Sequence, residues 1–200
     1  MTAIAWIAAP DLPMEDAVAA PDDARLAGQA ANGDEGAFAE LVRRHKRRVF
    51  GTASRFARDD HQLDDIAQEV FLRAFKNLSQ FRGDAPFEHW LARITVSACY
   101  DFLRKERRVR EQVSLDGAAW DARDDSVQAA IDAGRAREVV EWALRRMPPD
   151  EQLILTLCEL EERPVREVAE LTGWSESNVK VRAFRARQNL KKLLETSHER

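Results

Sequence analysis

Two groups of side chains have the types and spacing for contact with nucleic acid, and none has those of a catalyst. The first lies in PVREVAELTGWSESNVKVRAFRARQNLKKLL, from Pro164 to Leu194. There Ser175, Ser177, Asn178, Lys180, Val181, Arg182, Phe184 and Arg185 combine hydroxyls, an amide, cations and two apolar groups within a few helical turns. Such a set can hydrogen-bond base edges, touch methyl groups and neutralise phosphates. The second group interleaves the aromatics Trp90 and Tyr100 with Arg82, Arg93, Arg104, Lys105 and Arg107. Unpaired bases stack on such rings while cations follow the backbone, at about 1–3 kcal/mol per stacked base. A further cluster, Asp64, Asp65, Gln68 and Glu69, either complements the dipole of a helix start or offers an acidic surface to a basic partner.

Catalysis lacks its parts. Asp64 and Asp65 are adjacent, so a helix sets them about 100° apart instead of converging them on one proton. No nucleophile triad, metal-ligand set or phosphate loop is recognisable, and no cofactor, metal or small-molecule substrate is expected. Cys99 and Cys158 stand far apart with no CxxC or Cys/His spacing, and read as small buried residues in a reducing, cytoplasmic setting. The opening MTAIAWIAAP lacks a cationic start and is too short for a bilayer, so neither secretion nor membrane insertion is expected.

The elements that must position these residues follow from periodicity. Val165, Val168, Ala169 and Leu171 give a short helix, Thr172-Gly173-Trp174 a turn, and Ser175 a cap for a second, longer helix. That helix turns Val179, Ala183, Ala186, Leu190 and Leu193 inward and Ser177, Val181, Phe184 and Gln188 outward. Asn178, Arg182 and Arg185 flank the outward strip on one side, and Lys180, Arg187 and Lys191 on the other. This is helix-turn-helix grammar, with cations beside both phosphate backbones of a major groove.

Earlier helices are predicted from Glu35 to about Arg58, from Leu63 to Leu78 with Phe75 among its buried residues, and from Phe87 to about Arg108. FRGDAP, Phe81 to Pro86, breaks the second from the third with a Gly hinge and a Pro. Helical periodicity resumes at about Val127, includes Ile131 and stops at Pro148-Pro149; Leu153, Ile154, Leu157 and Leu160 then form the next buried stripe. Strand alternation is missing, so the fold is expected to be all-α, in two small helical domains. Residues 34–110 form the first and 127–196 the second, with a flexible acidic linker at 111–126 and a short tail at 197–200. Residues 1–33 read as a flexible tail with at most a late helical turn near Ala24 to Ala31. The net charge of -4 excludes a uniformly basic coat; charge is segregated, basic in Leu103 to Arg110 and acidic in Asp116 to Asp132.

In this order the segments GDEGAFAELVRRHKRRVF, LDDIAQEVFLRAFKNLSQFRGDAPFEHWLARI, DFLRKERR and RMPPDEQLILTLCELEERPVREVAELTGWSESNVKVRAFRARQNLKKLL resemble a bacterial extracytoplasmic-function (group IV) sigma factor of the sigma-70 family. The resemblance covers about Asp34 to Leu194. It implies a region 2-like bundle that binds core RNA polymerase and reads the melted -10 promoter strand, and a region 4-like helix-turn-helix domain that reads the -35 duplex. Asp64, Asp65, Gln68 and Glu69 then match the polymerase-binding motif. Phe81, Arg82, Gly83 and Asp84 match the loop that accepts a flipped-out base, and Trp90, Arg93, Ser97, Arg104 and Lys105 lie on the -10 recognition segment. The resemblance further implies promoter-specific transcription initiation, commonly in a stress or envelope response, and restraint by an anti-sigma factor.

Two departures stand out. Ser97 occupies a position where members commonly carry Asn, and Asn178, Val181 and Phe184 replace frequent Thr, Ser and His. Two other readings fit parts of the chain: a free-standing helix-turn-helix regulator, and a helical protein-interaction adaptor. Neither explains the acidic helix, hinged loop and aromatic-basic helix ahead of Arg110.

Overall fold

The computed structural model describes residues 22–115 and 136–198, and every regular element among them is helical. The chain divides into two compact units, Met1–Ala98 and Cys99–Arg200, with the division falling inside one long helix.

The first unit opens with α1, Asp23–Ala31, which Asp22 caps through its side chain. This helix occupies a segment expected to be a flexible tail with at most one late turn. It buries Leu26, Ala27 and Ala30. Three small or single apolar residues make a weak signal in sequence, yet they seat α1 against the next helix. Gly33, at φ 96°, turns the chain into α2, Glu35–Ala53, whose cap is Asp34 with its carboxylate 3.0 Å from the Ala37 amide. The helix ends at Ala53, short of Arg58, and Phe56 tucks into the core from the turn that follows.

α3, Asp60–Asn77, starts three residues before Leu63 because Asp59 caps it, and runs into a 3-10 turn, Leu78–Gln80. Its buried face is Ile66, Ala67, Val70, Phe71 and Ala74. Phe75, expected inside, is 48% exposed. It lies one helical step past Ala74, where its only aromatic neighbour among the described residues is Phe38, edge-on at 5.0 Å.

α4, Phe87–Leu115, continues beyond Arg108 and through the first residues of the expected linker. LRKERRVREQ contains no Gly or Pro and is rich in strong helix formers, and Arg107 pairs with Glu111 one turn on at 2.7 Å. The remainder of that linker, and the helix start expected at Val127 with Ile131, lie outside the described residues.

In the second unit α5, Ala136–Arg146, is followed by α6, Pro149–Leu155, with Pro149 in its first turn. A π-helical turn, Thr156–Leu160, extends α6. Leu153, Ile154 and Leu157 are buried as expected, but Leu160 is 43% exposed. The wider π turn carries Leu160 off the stripe that strict 3.6-residue spacing predicts. Glu162, with φ 53°, reverses the chain into α7, Val165–Thr172. Gly173, at φ 74°, ends α7 in the left-handed conformation and leads to α8, Glu176–His198. Val168, Val179, Ala183 and Ala186 close this core at 0–3% exposure.

A charge network fixes α1 on α2. Glu40 accepts from Arg43 and Arg44 at 2.7 Å, and Arg44 also meets Asp23 at 2.8 Å. The buried His45 places Nε2 2.8 Å from the other Asp23 oxygen. The Arg43 hydrogen bond, working against the effect of burial and helped by Arg44, holds the Glu40 carboxyl well below its usual range, at about 2. The folded state therefore gains from this carboxylate above about pH 4.5 and loses that gain as the pH falls toward 2. In acid titrations followed by thermal unfolding, Glu40→Gln is expected to flatten the loss of stability across that window; an unchanged slope counts against the network.

Candidate nucleic-acid interface

In the first unit the loop from Phe81 to Pro86 is held at its root and open at its tip. Phe81, half-buried, packs edge-on against the buried Phe87 at 5.3 Å and tilted against Trp90 at 5.5 Å, while Phe87 and Trp90 lie 5.4 Å apart. His45 closes the other side of Phe87 at 5.3 Å. Gly83, at φ 77°, makes the bend, and Arg82, Gly83 and Asp84 are exposed. Trp90 thus has two roles: it supports Phe81 and still offers part of its ring to solvent.

From that cluster one face of α4 runs onward through Trp90, Arg93, Ser97, Tyr100 and Arg104, spaced three or four residues apart. Arg93, Ser97 and Arg104 are exposed, with the Arg104 guanidinium 5.8 Å from the Tyr100 ring centroid. Lys105, one step round, is exposed as well. The line alternates ring and cation, which is what an unstacked strand needs. Arg110, further along, is half-buried, and that burial, with Arg107 and Arg145 nearby, lowers its pKa.

On α3, Asp64, Asp65 and Glu69 are exposed and Gln68 is half-buried. Asp65 lies 3.3 Å from His61, and Glu69 accepts from Arg73 at 2.6 Å. Sequence reasoning stopped at the acids, but the same face continues into two exposed apolar residues, Leu72 at 38% and Phe75 at 48%. The spacing Asp65, Gln68, Leu72, Phe75 was a readable signal of one continuous stripe. An acidic patch running into an apolar one suits a protein partner that is basic and partly hydrophobic.

In the second unit Ser175 caps α8, its hydroxyl accepting from the Asn178 amide at 3.3 Å and lying 3.1 Å from the Ser177 hydroxyl. Val181 and Phe184 point outward at 50% and 62% exposure. Arg182 differs from its neighbours. Its guanidinium covers the Trp174 ring at 4.4 Å, donates to Asn178 Oδ1 at 2.7 Å and forms an ion pair with Asp150. It is spent inside the unit, so it positions Trp174 and Asn178. Asp150 carried no sign of this in sequence, because a separation of 32 residues leaves no periodic trace. Arg187, on the other flank, is likewise paired, with Glu159 at 2.7 Å. Lys180 and Arg185 are exposed and have no ion-pair partner among the described residues.

Among the described residues there is no cluster of three or more His, Cys, Asp or Glu that could hold a metal ion, and no helix long and apolar enough to cross a membrane. Cys99 is buried and Cys158 half-buried, and burial raises both thiol pKa values.

Comparison with known proteins finds matches in both units. Residues 41–109 match Sigma-70 region 2, and residues 137–190 match Sigma-70, region 4. The ECF RNA polymerase sigma factor SigM of Mycobacterium tuberculosis (strain H37Rv) is 32% identical over 172 residues, covering 86% of this chain and 84% of that protein. The RNA polymerase sigma-H factor of Pseudomonas aeruginosa is 29% identical over 181 residues, covering 86% and 94%. Among solved structures, CnrH in complex with the cytosolic domain of CnrY is 26% identical, with a TM-score of 0.53 over 87% of this chain and 97% of that one. The sigma factor RpoE of Bartonella quintana, at 20% identity and TM-score 0.52 over 79% and 96%, shares the fold.

Arg182→Lys keeps the charge but removes the planar stack and the fork that joins Asn178 to Asp150. It is expected to destabilise the protein by about 1 kcal/mol, a fall of a few degrees in Tm, whereas Lys180→Ala leaves Tm unchanged. Differential scanning calorimetry separates the two, and equal effects would remove the distinction drawn between them.

Proposed function

The chain belongs to the sigma-70 family of RNA polymerase sigma factors, as an extracytoplasmic-function member, and on that premise we propose how its residues divide the work of promoter recognition. The observation that carries the assignment is the ordered pair of family regions, 41–109 followed by 137–190, on one chain. As a sigma factor it is a transcription initiation factor that binds core RNA polymerase and promoter DNA. We assign it no chemical step of its own, and a place in the cytoplasm, where the polymerase works.

Asp64, Asp65, Gln68 and Glu69 dock on the core enzyme, and Leu72 and Phe75 extend that contact with apolar area. Charge brings the surfaces together, and burial of the apolar pair slows their separation. In the same scheme Phe81, Arg82, Gly83 and Asp84 form the pocket for an extruded -10 base. Phe81 is already braced by Phe87 and Trp90, so little conformational freedom is lost when a base arrives. Trp90, Arg93, Ser97, Arg104 and Lys105 carry the following nucleotides along α4. Capture offsets the few kcal/mol that unpairing and unstacking cost, so strand opening is driven by binding.

α8 enters the major groove of the -35 duplex with Ser175 and Ser177 near its start, then Asn178, Lys180, Val181, Phe184 and Arg185 along it. Arg182 belongs to this site as a positioning residue. In this proposal residues 34–110 and 127–196 serve as the two reading domains, and because one chain carries both, two weak contacts add through effective concentration. A regulatory protein partner of the anti-sigma kind, and a role in a stress or envelope response, belong to the same proposal; CnrH was solved with the cytosolic domain of another protein.

In vitro transcription with purified core enzyme and a genomic template library is expected to give initiation at a defined set of promoters only when the chain is added. No promoter-specific initiation on any template of the library would defeat the assignment. For the duplex reader, Lys180→Ala should reduce -35 binding on all sequences alike and lower the log-affinity against log-salt slope by about one. An unchanged slope would return Lys180 to the solvated surface.

A further inference from the structure

The outward strip of α8 has fewer polar readers than its sequence offers. Asn178 Oδ1 is occupied by Arg182, the Ser177 hydroxyl is bonded to that of Ser175, and Arg182 is turned onto Trp174 and Asp150. At the centre of the strip stand Val181 and Phe184, one helical turn apart and, among the described residues of the second unit, the most exposed large apolar ones at 50% and 62%. Single exposed apolar residues are ordinary on a protein surface, but two adjoining ones between the exposed cations Lys180 and Arg185 are placed where a polyanion must come.

A major groove flanked by phosphates complements those cations. The apolar feature that its base edges present to a side chain is the C5-methyl group of thymine. We propose that Val181 and Phe184 make α8 a reader of thymine methyl groups, so that the -35 element of this protein contains thymine at the one or two positions facing them. The proposal rests on the assignment of α8 as the -35 reader. It replaces a hydrogen-bond code by apolar contact at the middle of the helix, and leaves polar readout to Arg185 and the free amide protons of Asn178.

The test uses the full chain bound to core polymerase and a -35 duplex obtained by selection from a random library. Each thymine in the selected element is replaced in turn by deoxyuridine, which keeps base pairing and removes only the methyl group. At one or two positions the wild-type protein should bind the uracil duplex about fourfold more weakly, the size expected for one buried methyl-sized group. Phe184→Ala or Val181→Ala, at exposed positions that leave the core intact, should bind the thymine and uracil duplexes equally at the corresponding position. Sequence-specific binding that is indifferent to uracil at every position, or a selected element without thymine, would overturn the proposal while leaving the -35 assignment standing. A methyl effect confined to 5-methylcytosine would overturn the assignment to thymine. Loss of all specific duplex binding by the wild-type protein would instead overturn the -35 assignment itself.

Discussion

The second unit depends on how closely α8 approaches the rest of its core. The inward residues of the helix are small, Val179, Ala183 and Ala186, and are buried to 0–3%, with Ala186 in one cluster with Leu144, Met147 and Leu155. Dense packing of small groups leaves little room for the helix to rotate, since any turn would press a backbone into a neighbour or open a void. With rotation fixed, the outward strip is fixed too. The ion pair of Arg182 with Asp150 and its stack on Trp174 add a second constraint at the edge of the same helix. In the proposed role of α8 as the -35 reader, its surface would be pre-set before DNA arrives, which lowers the ordering cost of binding.

The first unit applies the same division to its cations. Arg44 and Arg48 are committed to Glu40, Asp23 and Glu88, and these pairs join α1 to α2 and α2 to α4. Arg82 and Arg93, by contrast, are exposed along the line that leads from the hinged loop down α4. Sorting basic residues by their partners separates scaffolding from surface more sharply than counting them does. It also explains how a chain with net charge -4 presents locally positive faces to a polyanion.

Periodicity made most of this fold legible. The inward and outward faces of α8 follow from residue spacing alone, because a long amphipathic helix repeats its signal many times. Ser175 and Gly173 could be placed for the same local reason. What escaped has physical causes in particular residues. α1 holds its place through Leu26 and two alanines plus a charge network, and alanine is a weak marker of burial. Leu160 leaves the buried stripe because a π turn breaks the 3.6-residue spacing that periodicity follows. Phe75 was read as core by its type, although its position lies beside the stripe. The internal engagement of Arg182 hung on Asp150, far away in sequence, and no local pattern announces such a partner.

The π turn has an effect on surface shape. Leu160, carried outward, joins Val140, Leu155, Leu190 and Leu194 in lining a groove of about 470 Å³, with the Glu159–Arg187 pair among its lining residues. The groove owes its form to the register of the backbone. Enlarging a side chain in its wall would narrow it without restoring Leu160 to the core, whereas removing one residue from Thr156 to Leu160 would take the extra residue out of the wide turn and return the segment to α-helical spacing. The shape of the groove thus depends on the length of this short segment more than on its composition.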